Sequence, residues 1–129
     1  MEKRMNKEEL IILIQSLKLN KDEYWILSSA ALVLRGIYKD AGDLDIAVTE
    51  VGLEELKRNY NLKQKENGWY IVNEKIECVV DEKNEAKVEQ FGEYNLQNIY
   101  CYYDFLLHSK RLKDKERIPL VEEYIKTNY

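Results

Sequence analysis

The sequence predicts an α+β fold: a mixed β-sheet with helices packed mainly on one face. Three observations carry this. Apolar residues recur at helical spacing near the N-terminus. Short β-rich runs alternate with helical segments from residue 24 to residue 80. Two of those runs, 69–72 and 75–80, are separated only by Asn73-Glu74, the spacing of a hairpin. At 129 residues the expectation is one domain, 1–129, with a core over 24–81 and a helical part over 99–129.

Each element has a local cause. Leu10, Leu13, Ile14 and Leu17 fall at i, i+3, i+4 and i+7. Asn6 with Glu9 three residues on is a capping box, and the helix should end near Leu19-Asn20. Tyr24 to Leu27 is an apolar, aromatic run suited to a buried strand. Ser28-Ser29 then reads as a turn and helix N-cap, Ala30 to Leu34 as a short helix, and Gly36 as its stop. Asp43 to Val48 alternates as a second strand, with Leu44, Ile46 and Val48 on one face and Asp43, Asp45 and Ala47 on the other. Leu53, Leu56 and Tyr60 mark another helix. In the run 75–80, Ile76, Cys78 and Val80 face one way and Lys75, Glu77 and Val79 the other. Val88 to Phe91 reads as an edge strand and Ile99 to Cys101 as a last short strand. Asp104 to Ser109 and Arg117 to Lys126 read as helices, with Pro119 near the start of the second, where proline is tolerated.

Composition excludes several function classes. One Pro and five Gly exclude collagen-like and linker-like chains. A formal charge of −4, from 20 basic against 24 acidic residues, argues against non-specific binding of nucleic acid or anionic membranes. A partner carrying polyphosphate would need metal ions to bridge the like charges. Cys78 and Cys101 make neither a disulfide framework nor a zinc motif. Met1 to Leu10 lacks a signal-peptide plan and Leu10 to Ile14 is too short to span a bilayer, so the expected compartment is the cytoplasm.

Asp43 and Asp45 contradict their setting, because Asp is disfavoured in strands. At i and i+2 both carboxylates leave the same face, their Cα atoms roughly 6.6 Å apart. That spacing lets them converge on one cation, or on two held about 4 Å apart. Glu77, on a neighbouring strand, would be a third carboxylate, and three such charges repel unless a hard cation such as Mg²⁺ neutralises them. Composition alone produces about four acid-x-acid pairs in such a chain, so the pair by itself also fits the wet face of an edge strand. The upstream Ser28-Ser29 adds to it. Backbone N–H groups at a helix start, with two hydroxyls, can hold a phosphate; the bland alternative is an ordinary cap.

Together these residues resemble the nucleotidyltransferase superfamily with the DNA polymerase β-like fold. Leu27-Ser28-Ser29, thirteen residues, then Asp43-Leu44-Asp45-Ile46 is similar to its signature. Ala30 to Gly36 looks like the AbiEii-type and minimal nucleotidyltransferases. The resemblance covers residues 24 to 81, and extends more loosely over 98 to 126, where Lys110-Arg111-Leu112-Lys113-Asp114 is similar to a basic segment before the last helix. It implies a nucleotidyltransferase-like sheet and a two-Mg²⁺ transfer of a nucleoside monophosphate from a nucleoside triphosphate to a hydroxyl of a small molecule or protein. Asp43, Asp45 and Glu77 would be catalytic and metal-binding. Ser28, Ser29, Lys110 and Lys113 would bind the nucleotide. Two departures stand out. Position 28 is Ser where the family usually has Gly, and Gly42 stands where many members have a polar residue. Ser28 favours the alternative: a catalytically inactive module of the same fold that binds a nucleotide or a partner protein, as in a toxin–antitoxin pair.

Other residues carry less. Lys110, Arg111 and Lys113 also fit a solvated helix end. His108 is the only histidine and receives no catalytic role. Tyr100, Tyr102 and Tyr103 fit core packing or a homodimer contact as well as base stacking.

Overall fold

The structure is a computed structural model describing residues 4–129; the first three residues of the charged N-terminal stretch lie outside it. A short strand β1 (Met5–Asn6) leads into helix α1 (Lys7–Ser16). The capping box is present. Asn6 Oδ1 accepts from Glu9 N at 2.9 Å, and Glu9 Oε1 accepts from Asn6 N at 3.2 Å. The helix ends earlier than its apolar spacing suggests. Leu17 turns extended, and a 3-10 turn at Lys21–Glu23, capped by Asn20, carries the chain into β2 (Tyr24–Ile26).

Helix α2 (Ser28–Leu34) follows directly, then β3 (Asp40–Ala41) and β4 (Leu44–Val48). Gly36 stops α2 with φ +83, a backbone state open to glycine. Helix α3 (Glu50–Asn59) is capped by Thr49. Strands β5 (Lys63–Gln64), β6 (Tyr70–Ile71) and β7 (Ile76–Val80) come next. The expected hairpin is formed by β6 and β7, and the Asn73 side chain closes its turn by accepting from Lys75 N and Ile76 N. Strands β8 (Val88–Phe91) and β9 (Tyr94–Gln97) form a second hairpin before α4 (Ile99–His108) and α5 (Leu112–Asn128).

Seven strands form one mixed sheet in the order β5-β6-β7-β4-β2-β9-β8. β4 is antiparallel to β2 and parallel to β7, while β2 is parallel to β9. β1 and β3 pair separately. Tyr24, Ile26, Leu44, Ile46, Val48, Ile76, Cys78 and Leu96 share one sheet face and pack against α1, α2 and α3 through Leu10, Ile14, Ala30, Val33 and Leu56. This is the α+β arrangement read from the alternation in β4 and β7. A second apolar cluster joins α4 and α5 to the back of α2 through Leu32, Ile99, Tyr102, Leu106 and Val121.

Three local expectations are corrected. Ile99 to Cys101 is the first turn of α4, not a strand. Ile99, Tyr102 and Leu106 share a buried helical stripe, and Asn98 caps the helix by accepting from Tyr100 N and Cys101 N. The strand in this region is β9, which buries only Leu96 fully and so left a weak pattern. Pro119 lies inside α5, which begins at Leu112 rather than Arg117. Finally, the N-cap of α2 is Leu27, without a side-chain cap bond, and not a serine.

Candidate functional site

β4 and β7 run parallel in register, with Asp45 opposite Glu77. Neighbouring strands lie about 4.8 Å apart, and in-register side chains of a parallel pair leave the same face. The flanking Leu44, Ile46, Ile76 and Cys78 are fully buried against the helices. Asp45 and Glu77 therefore project together from the opposite face, each partly exposed, while Trp25 and Ala47 farther along that face are buried. Asp43 sits two residues before Asp45, at the bend that opens β4.

The charges feel one another. Burial, then the carboxylates of Asp43 and Glu77, push the Asp45 carboxyl up to about 6, against the opposing pull of Lys65 and Lys113. Lys65 lies in the β5–β6 turn, and its Nζ forms an ion pair with Glu77 Oε1 at 3.0 Å. Among the described residues no group of three or more His, Cys, Asp or Glu is placed so that it could hold a metal ion as it stands.

The β2–α2 turn stands beside this face. Leu27 N donates to Asp45 O at 2.9 Å, continuing the sheet one residue past β2. The chain must then turn sharply into α2, and Ser28 takes it with φ +52, in the left-handed region that favours glycine. Ser28 is the only non-glycine at positive φ among the described residues. Its N–H is held within the chain, donating to Gln97 Oε1 at 3.2 Å. Ser29 follows in the first turn of α2, partly buried.

The basic segment divides. Lys113, at the start of α5, is close enough for its charge to act on Asp45; Lys110 is exposed in the connection before α5. The neighbour of Lys113 in sequence, Asp114, has a fully buried side chain. Asp114 Oδ2 accepts from Ser109 Oγ at 2.6 Å and Arg111 Nε at 2.7 Å. Burial alone would raise this carboxyl, but those bonds and the charges of Arg111 and Arg117 outweigh it and hold it below its ordinary range.

Tyr102 is core, with its hydroxyl accepting from Arg117 at 2.8 Å, while Tyr103 donates to Glu122 and Tyr100 is half exposed. His108 is exposed, with Nδ1 2.8 Å from Asp104 O on its own helix. A surface depression of about 700 Å³ lies at the other ends of β4 and β7, lined by Thr49, Glu50 and residues 80–83. The carboxylates stand apart from it, near the starts of these strands.

Sequence reasoning missed Lys65, Gln97 and Asp114. No local pattern marks the first two, since each acts across the sheet on a residue far away in sequence. Asp114 was visible only as the end of a basic run. No helix among the described residues is long and apolar enough to cross a membrane. No family model, curated protein or solved structure matches the chain.

Proposed function

We propose that this chain is a nucleotidyltransferase of the DNA polymerase β-like type, moving a nucleoside monophosphate from a nucleoside triphosphate to a hydroxyl acceptor. The observation that carries the reading is the in-register pairing of Asp45 with Glu77 on one sheet face, two residues from Asp43 and next to the turn that enters α2. The donor chemistry fits a hard divalent cation: three oxygen-only ligands, with a like-charge repulsion at Asp45 that a cation relieves. Asp43, Asp45 and Glu77 would hold Mg²⁺, two ions in the full arrangement. Bound there, Mg²⁺ supplies charge neutralisation on the phosphoryl oxygens and a lowered pKa for the attacking hydroxyl.

The chain's own residues do the positioning. Ser29, at the start of α2, would donate to the triphosphate, and Lys113 would offset its charge. Glu77 would receive the proton from the acceptor hydroxyl. The acceptor oxygen forms a bond to the α-phosphorus as the bond to the bridging oxygen breaks, and pyrophosphate leaves with the electron pair.

A second reading has its own support. Ser28 fills a glycine-type position, its N–H is taken by Gln97, and Lys65 already neutralises Glu77. These favour a module that binds a nucleotide or a partner protein without turnover. One experiment tests both. Isothermal titration of a non-hydrolysable triphosphate should show Mg²⁺-dependent binding that Asp43→Asn abolishes. Pyrophosphate release with trial acceptors then separates the enzyme from the silent binder. Binding that ignores both Mg²⁺ and residue 43 would defeat the site itself.

A further inference from the structure

Glu77 is engaged on the carboxylate face, because Lys65 Nζ lies 3.0 Å from its Oε1. The backbone of Lys65 is fixed. Its N–H donates to Trp69 O at 2.7 Å, and Gly68 N donates to Lys65 O at 3.0 Å across a turn where Gly68 takes φ +94. β5 is tied to β6, and β6 to β7 in the register Ile71 to Glu77. The sheet itself thus carries this ammonium to Glu77. Lys113 arrives near Asp45 from α5, a separate element. Lys75 also reaches the Asp43 end, its Nζ donating to Gly42 O at 3.3 Å, so lysines from separate elements offset the carboxylates here.

We infer that Lys65 makes this face selective for a divalent cation carried on a polyphosphate over the bare cation. A bare cation reaching Glu77 displaces the ammonium and leaves it with no counter-charge. A cation that arrives on a polyphosphate brings phosphate oxygens, which give the displaced ammonium a new charge-assisted hydrogen bond. The inference rests on the carboxylate face being a cation site, as proposed above. It sets opposite signs for two ligands, which a merely structural ion pair does not.

The test is calorimetric titration of the full chain with Mg²⁺ alone, and with a non-hydrolysable nucleoside triphosphate at saturating Mg²⁺. Lys65→Met should bind Mg²⁺ alone about three- to fivefold more tightly than the parent, and the triphosphate about three- to fivefold more weakly, the size expected of an exposed ion pair. Lys65→Arg should behave as the parent in both arms. Lys65→Gln, which keeps the turn polar, should repeat the methionine result. A parent that binds both ligands while Lys65→Met and Lys65→Gln match it would overturn the role of Lys65 and leave the carboxylate site standing. Movement of both affinities in the same direction would overturn it too. Absence of Mg²⁺ and triphosphate binding in every variant would remove the carboxylate site, and this inference with it.

Discussion

Replacing Ser28 by glycine should stabilise the protein, although the position opens a helix. The cause is local. Ser28 is held at φ +52 because the chain turns from the Leu27–Asp45 hydrogen bond straight into α2. A residue with a Cβ carries about 1–2 kcal/mol of strain in the left-handed region. Glycine removes that strain but adds about 0.4–1 kcal/mol of backbone entropy to the unfolded chain. The difference leaves a gain of about 0.5–1 kcal/mol, or about 2–4 °C in melting temperature for a domain of this size. Ser29 supplies the control. It lies in α2 without a positive φ, so Ser29→Gly should destabilise by about 0.5–1 kcal/mol. Urea denaturation followed by circular dichroism measures both. Opposite signs at these adjacent serines are the expected result; a Ser28→Gly protein less stable than the parent would refute the strain reasoning. Removing the side chain also opens the turn to a ligand, so the same variant should keep or improve triphosphate binding.

Two further predictions follow from buried and crowded groups. In the metal-free protein the Asp45 carboxyl is raised from 3.8 to about 6, first by burial and then by Asp43 and Glu77, so the folded state binds its proton more tightly than the unfolded state. Its ionisation therefore lowers stability as pH rises from the unfolded value through about 6. Asp45→Asn should be more stable than the parent at neutral pH, by about 1 kcal/mol after solvent screening, and should lose that advantage below the unfolded value. Melting curves across this window check it, and a pH-independent difference would contradict it. Gly52→Ala should reverse the usual helix preference. A Cβ at residue 52 would stand 2.8 Å from the Glu23 backbone oxygen. Overpacking of about 1–3 kcal/mol outweighs the helical gain of about 1 kcal/mol, so thermal denaturation should show a net loss.

The parts legible in the sequence were those with a local physical cause. Asn6 and Glu9 cap α1 because a side chain reaches a backbone amide three residues away. Leu44, Ile46 and Val48 announced one buried face because side chains alternate with period two, although Ala47 on the other face is buried as well. The same alternation put Asp45 on the other face. Local patterns also misled. Ile99 to Cys101 carries β-type residues, but Asn98 and the burial of Tyr102 and Leu106 make it helix. Here tertiary burial overrode propensity.

The chain order alone determined which residues alternate, where helices start, and that an acidic pair interrupts an apolar strand. Only the tertiary structure decided that β4 and β7 are neighbours in register, which sets Asp45 beside Glu77, and that Lys65 and Gln97 reach the same region. Periodicity is a property of one segment, whereas register is a property of two. Burying Ile46 and Cys78 on one side of the sheet puts residues 45 and 77 on the same face, and the register of β4 with β7 makes them partners; no single strand carries that information.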